Sequence, residues 1–140
     1  MTLLVVHLTL VAAYAGFQWT VRVLVYPQFA RVPAAAFPAY ERDHQRLVTR
    51  VVGPLFAGQG ITTVLLLAVR PEGVPLLPVL AGAACLAVVL AATALGAVPL
   101  HRRLQEAWDD AAHRRLLRVD TVRAVAATAG AVAAVAALLG

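Results

Sequence analysis

The chain contains no lysine and only seven acidic residues; its twelve cations are all arginine, giving a formal net charge of +5. Charged side chains make up 14% of its 140 residues, against about 25% in soluble chains. So little polar material cannot cover a soluble globule. Disorder is excluded too, because disordered chains are poor in apolar residues and 61% of this chain is apolar. With one cysteine, Cys85, there is no intrachain disulfide and no CxxC motif. Within its apolar run, Cys85 reads as a small packing residue. The sequence has no glycine-rich phosphate loop, no Gly-x-Ser-x-Gly elbow and no HxxxH, HExxH or HxH spacing. The class left is an integral membrane protein, a single domain over residues 1–140.

What is present is apolar length. A bilayer core needs roughly 20 apolar residues in a helix, and backbone groups in lipid must be bonded within the span. Four spans are expected, at about 2–25, 51–69, 76–100 and 120–139. Pro27 follows the first span, Pro33 and Pro38 punctuate the link after it, and Pro71, Gly73, Pro75 and Pro78 mark a tight turn between the second and third. Asp109 or Asp110 reads as the N-cap of a long last helix. The second helix is expected to begin at Pro38 and run to Val69, about 48 Å at 1.5 Å per residue. Its polar first third would stand beyond the membrane, with a kink at Gly53-Pro54. Ala13-Tyr14-Ala15 resembles a cleavage site, but no cation precedes the apolar run, so an uncleaved first helix is expected.

Arginine placement sets the orientation. With four spans, both termini and the 70–75 turn share one side, which holds Arg70 alone. The other eleven arginines lie in or beside the two opposite links. The positive-inside rule puts those links in the cytoplasm and both termini outside, in the cytoplasmic (inner) membrane of a bacterium. Topology thus accounts for the basic charge, and no nucleic-acid partner is implied. The fold expected is an all-α, antiparallel four-helix membrane bundle whose helices extend into the cytoplasm. Two tandem helical hairpins fit the pattern. His44-Gln45-Arg46-Leu47 matches His113-Arg114-Arg115-Leu116 at an offset of 69, and Pro27 matches Pro99 at nearly that offset.

Polar residues in lipid face a bundle interior. His7, Tyr14, Gln18 and Arg22 fall within about an 80° arc of the first helix at 100° per residue. His44 and Gln59 share a face of the second, with Thr62 and Thr63 near it. Glu41, His44, His101, His113, Asp120 and Arg123 gather towards the cytoplasmic boundary. Asp120 and Arg123, at i,i+3, can pair. Asp120 is expected to orient His101 or His44 as a base. His7 reads as a packing residue near the outer face, and His113 is expected to face solvent with Arg114 and Arg115. Trp19, Trp108, Tyr26 and Tyr40 suit the interface. A polar-lined cavity open to the cytoplasm is one reading of the stripe; interhelical hydrogen bonds that hold the bundle are the other.

The string Trp19-Thr-Val-Arg-Val-Leu-Val-Tyr-Pro-Gln-Phe29, then Phe37-Pro-Ala-Tyr40 with His44 and Val52-Gly-Pro54, resembles a group of small bacterial four-span membrane proteins. Val98-Pro-Leu-His-Arg-Arg-Leu104 and Val119-Asp-Thr-Val-Arg123 also resemble the anthrone oxygenase-like membrane family. In that family a Val-Pro-x-Asn-x-x-Leu segment precedes a last helix with an Asn-x-x-Arg pattern; this chain has His101 for the first Asn and Asp120 for the second. The resemblance implies a four-helix bundle acting on a lipophilic, aromatic polyketide-like molecule without an organic cofactor.

The function expected is a membrane-embedded enzyme acting on a lipophilic small molecule, by oxygenation of an acidic carbon or acid–base cyclisation. His101 or His44 would be base or acid, Asp120 the orienter, and Arg22 or Arg123 the anion stabiliser. Tyr14, Gln18, Arg22, Tyr26 and Gln59 would bind substrate. No cofactor is expected. The alternatives are a non-enzymatic transporter or assembly partner, with the stripe at a homo-oligomer interface, and a haem or metal redox protein using His44, His101 and His113.

Overall fold

The computed structural model describes all 140 residues. The chain forms four helices: α1 (Thr2–Arg31), α2 (Phe37–Ala68), α3 (Leu76–Glu106) and α4 (Asp110–Leu139). Their links are short, which forces consecutive helices to run antiparallel. Each helix is long and apolar enough to cross a membrane. The outer surface is apolar as well: Val23, Ile61, Val64, Leu77 and Leu95 are all exposed. Both chain ends and the α2–α3 link lie at one end of the bundle. The two arginine-rich links lie at the other.

Side-chain size decides which helices approach closely. Along α4 the buried positions Ala124, Ala127, Gly130, Ala134 and Ala137 recur every three or four residues. This small-residue face lets α1 and α3 pack against it. A methyl added at Gly130 would lie 3.4 Å from Cys85 Cβ and 3.7 Å from Val11 Cγ1, which is ordinary contact. At the arginine-rich end the core is larger and more aromatic, with Tyr26, Phe29, Phe37, Leu104 and Leu116 buried together.

The break expected after the first span, at Pro27, does not occur. α1 continues through Pro27 to Arg31, and α3 continues through Pro99 to Glu106. Each proline follows a π-helical turn, Val21–Val25 in α1 and Thr93–Ala97 in α3. The Tyr26 N–H donates to the Val21 carbonyl and the Val98 N–H to the Thr93 carbonyl, both i→i−5 bonds. The wider turn makes room for a ring that would clash with the carbonyl four residues back, and it releases the carbonyls that proline cannot serve. The two turns and the two prolines correspond at one offset, 72 residues, so the hairpins share a local device as well as a motif. Pro54, by contrast, lies within an unbroken α2.

The last helix starts as its sequence predicts. The Asp109 carboxylate accepts from the Ala111 N–H at 2.8 Å and the Ala112 N–H at 2.9 Å, and pairs with Arg103 at 2.5 Å. Hydrogen bonding from Ala112, then the Arg103 charge, holds this carboxyl below the ordinary aspartate value. A depressed acid stabilises the fold above its unfolded pKa and loses that effect as pH falls through its folded pKa. Asp109→Ala is therefore expected to lower the melting temperature at neutral pH, and the deficit to vanish in melts below the folded-state pKa of Asp109.

Close packing at the second π turn gives another expectation. An added Cβ at Gly96 would lie 2.9 and 3.1 Å from the two methyls of Val119, a stiff branched side chain. At Gly58 it would meet only the flexible end of Leu10, at 2.9 Å. Overpacking costs about 1–3 kcal/mol, whereas replacing a helical glycine by alanine gains about 1 kcal/mol of propensity. Gly96→Ala should destabilise the bundle by about 1 kcal/mol in equilibrium unfolding in mixed detergent micelles, and Gly58→Ala should be neutral or stabilising.

Candidate functional site

All four helices contribute to one hydrogen-bonded chain at the arginine-rich end. On α1, the π turn delivers Tyr26 to the bundle axis. On α2, Glu41 lies one turn after Phe37 and shares its buried face; both are fully buried. On α3, His101 follows Pro99. His101 Nδ1 lies 2.5 Å from Glu41 Oε1, and His101 Nε2 lies 2.9 Å from the Tyr26 hydroxyl. With Nδ1–H directed at the Glu41 carboxylate, a neutral imidazole leaves Nε2 to accept from Tyr26. Gln45 also donates to Glu41 Oε1, at 3.1 Å. From α4, His113 Nε2–H donates to the Tyr26 carbonyl at 2.8 Å, which fixes the first residue after the π turn.

A second chain lies deeper. Asp120, fully buried, accepts from Gln18 at 2.5 Å and from Arg123 at 2.9 Å. The Tyr14 hydroxyl donates to Gln18 Oε1 at 2.9 Å and accepts from Arg123 at 3.4 Å. Between the two chains lies a cavity of about 130 Å³ whose polar wall includes Gln18, Tyr26, His101 and Arg123. An open apolar groove of about 370 Å³ runs beside it between α1 and α2, past His44, Leu47 and Val51. The two share Phe17, Val21 and Val48 as walls.

Four buried polar atoms in these chains have no partner: Glu41 Oε2, His44 Nε2, Asp120 Oδ2 and Arg123 Nε. A buried polar group left unpaired is costly, so the region carries unused hydrogen-bonding capacity.

Several expected placements change. Asp120 does not orient His101; Glu41 does, because the Asp120 carboxylate is held by Gln18 and Arg123. Arg22 does not line the cavity. Its Nε donates instead to Thr121 at 2.7 Å. Gln59 does not line the cavity. Its amide donates to the Leu55 carbonyl at 3.2 Å, and it shares a pocket of about 10 Å³ with His7. His7 is buried and bonded to Thr62 at 2.8 Å. His113 does not face solvent, and Tyr26 is a core residue rather than an interface one. Trp108 packs on Phe37 and His113, at 4.7 and 5.0 Å between rings. His44 is half-buried, stacked 6.1 Å from His101.

Glu41 is the site residue that sequence reasoning did not single out as a partner of His101. The signal was its i,i+4 spacing from Phe37, which puts a carboxylate on an apolar anchor's face. His44, His101 and His113 do not converge as metal ligands, and no cluster of three or more His, Cys, Asp or Glu side chains is arranged to hold an ion. Both ring nitrogens of His101 are already engaged. The Tyr26 hydroxyl, the His101 imidazole and the Glu41 carboxylate instead form one hydrogen-bonded series, and the Arg123 guanidinium lines the same cavity as Tyr26 and His101.

Breaking a buried ion pair by removing one partner costs about 3–5 kcal/mol, whereas replacing both by apolar groups is far milder. Arg123→Leu should therefore destabilise the bundle by about that amount, because it strands the Asp120 carboxylate. The Asp120→Leu/Arg123→Leu double variant should recover most of the loss in the same unfolding measurement.

No protein-family model, no curated protein and no solved structure matches the chain.

Proposed function

We propose that the chain is a multi-pass protein of the bacterial cytoplasmic membrane, both termini outside, that catalyses proton transfer on a lipophilic small molecule. Tyr26 is the group that meets the substrate. As the Tyr26 oxygen takes a proton from an acidic carbon or hydroxyl, its own proton passes to His101 Nε2. Glu41 stabilises the imidazolium that forms, and Arg123 stabilises the negative charge left on the substrate. The reverse sequence returns a proton to the product. The observation that carries this reading is the Tyr26–His101–Glu41 relay, at 2.9 and 2.5 Å, whose Tyr26 and His101 line a cavity together with Arg123. The apolar groove beside it supports a lipophilic substrate. Such a step underlies both oxygenation of an acidic carbon and acid–base cyclisation.

Deuterium exchange tests this without knowledge of the substrate. Protein reconstituted into liposomes with a bacterial lipid extract in D₂O should label at least one lipophilic component, read by mass spectrometry. Tyr26→Phe and His101→Ala should slow labelling by about 10²–10⁴-fold, the usual contribution of a positioned acid–base group. Equal labelling by both variants, or none by the native protein, would sink the reading. For the orientation, alkaline phosphatase fused to the C-terminus should be active, and fusions in the 32–36 link inactive.

A further inference from the structure

The site's two compartments differ in size and polarity, and the difference specifies a ligand. The partly open chamber encloses about 130 Å³. A cavity of about 150 Å³ takes a single benzene ring, so the chamber holds at most one six-membered ring. Three fused rings exceed it.

The chamber's hydrogen-bonding pattern is also specific. With a neutral His101 directing its Nδ1–H to Glu41, the Tyr26 hydroxyl hydrogen goes to His101 Nε2 and the oxygen is left to accept. Arg123 has a buried Nε–H with no partner, and a guanidinium can only donate. Its side chain is 7% exposed, so bulk water does not serve it. One small group answers both: a hydroxyl that donates to the Tyr26 oxygen while accepting from Arg123. On a ring, that group is a phenol. Its conjugate anion would sit against the guanidinium.

The groove gives the rest of the molecule. Phe17, Val21 and Val48 border both spaces, and beyond them the groove is walled by Val25, Leu47 and Val51. An apolar tail passing Val48 would lie between α1 and α2 and reach Val51, where the second span begins.

We propose that this site, on the acid–base reading above, binds an alkyl- or prenyl-tailed phenol whose head is a single ring in the Tyr26–Arg123 chamber. The test uses the full chain in phosphatidylcholine nanodiscs, titrated calorimetrically against protein-free nanodiscs to remove partitioning. 4-Heptylphenol should bind saturably at one per chain. Heptylbenzene, which lacks the hydroxyl, and 2-hydroxyanthracene, which has three rings, should each bind at least tenfold more weakly. Val51→Phe, which changes the groove alone, should weaken 4-heptylphenol by at least tenfold and leave 4-methylphenol unchanged. Equal affinity for the tricyclic or the hydroxyl-free probe overturns the proposal, as does the absence of saturable binding; these arms use the native protein and stand whether or not Val51→Phe folds. Saturable phenol binding by protein that exchanges no deuterium retires the acid–base reading alone. Deuterium exchange without selectivity for head size overturns the ring-sized head alone.

Discussion

Two fully buried carboxylates, Glu41 and Asp120, govern the arrangement of the bundle. A charge with no water around it must find partners, or the structure that buries it is lost. Glu41 finds His101 and Gln45; Asp120 finds Arg123 and Gln18. Each set spans helices that apolar contacts alone would leave free to slide. Following the bonds from Glu41 on α2 leads to His101 on α3, then Tyr26 on α1, then His113 on α4. Apolar surfaces in hydrocarbon give little preference for one register over another. Directional bonds between charged and polar groups supply that preference here.

The π turns make the first of these chains reachable. Without the turn at Val21–Val25, Pro27 would end or kink α1, and Tyr26 would not lie in a continuous helix under the His113 ring. Irregular helical turns cost hydrogen-bond quality and concentrate where function needs a side chain re-aimed. That both turns border the cavity, through Val21, Thr93 and Ala97, fits this pattern.

Much of this was legible in the residues. Runs of uncharged apolar sequence marked all four helices, and Asp109 before the alanine-rich start of α4 marked its cap. The His44 and His113 motifs and the paired prolines pointed to two related hairpins. Tyr14 and Gln18, four apart, were readable as neighbours on an inward face. The missed features share a cause. A periodic count assumes 3.6 residues per turn, so it could not foresee a π turn. It treats a charged residue near a helix start as solvated, so Glu41 was passed over despite sharing a face with Phe37. Asp120 and His101 were both correctly read as inward, but which inward groups meet depends on depth across helices far apart in sequence, such as the 60 positions between His101 and Glu41.

The repeat explains why the site is single rather than double. At the offset that aligns the π turns, Pro27 corresponds to Pro99, Arg31 to Arg103, and Phe29 to His101. Both rings lie in the aromatic core at the arginine-rich end; Phe29 is 4.9 Å from His44, and His101 is 6.1 Å from it. In the first hairpin the position holds a phenyl ring that only packs. In the second it holds an imidazole of similar size that packs and also links a hydroxyl to a carboxylate. The shared device thus sets two equivalent ring positions beside His44. The proposed proton transfer rests on the one difference between them, an edge nitrogen on each side of the His101 ring where Phe29 has only carbon.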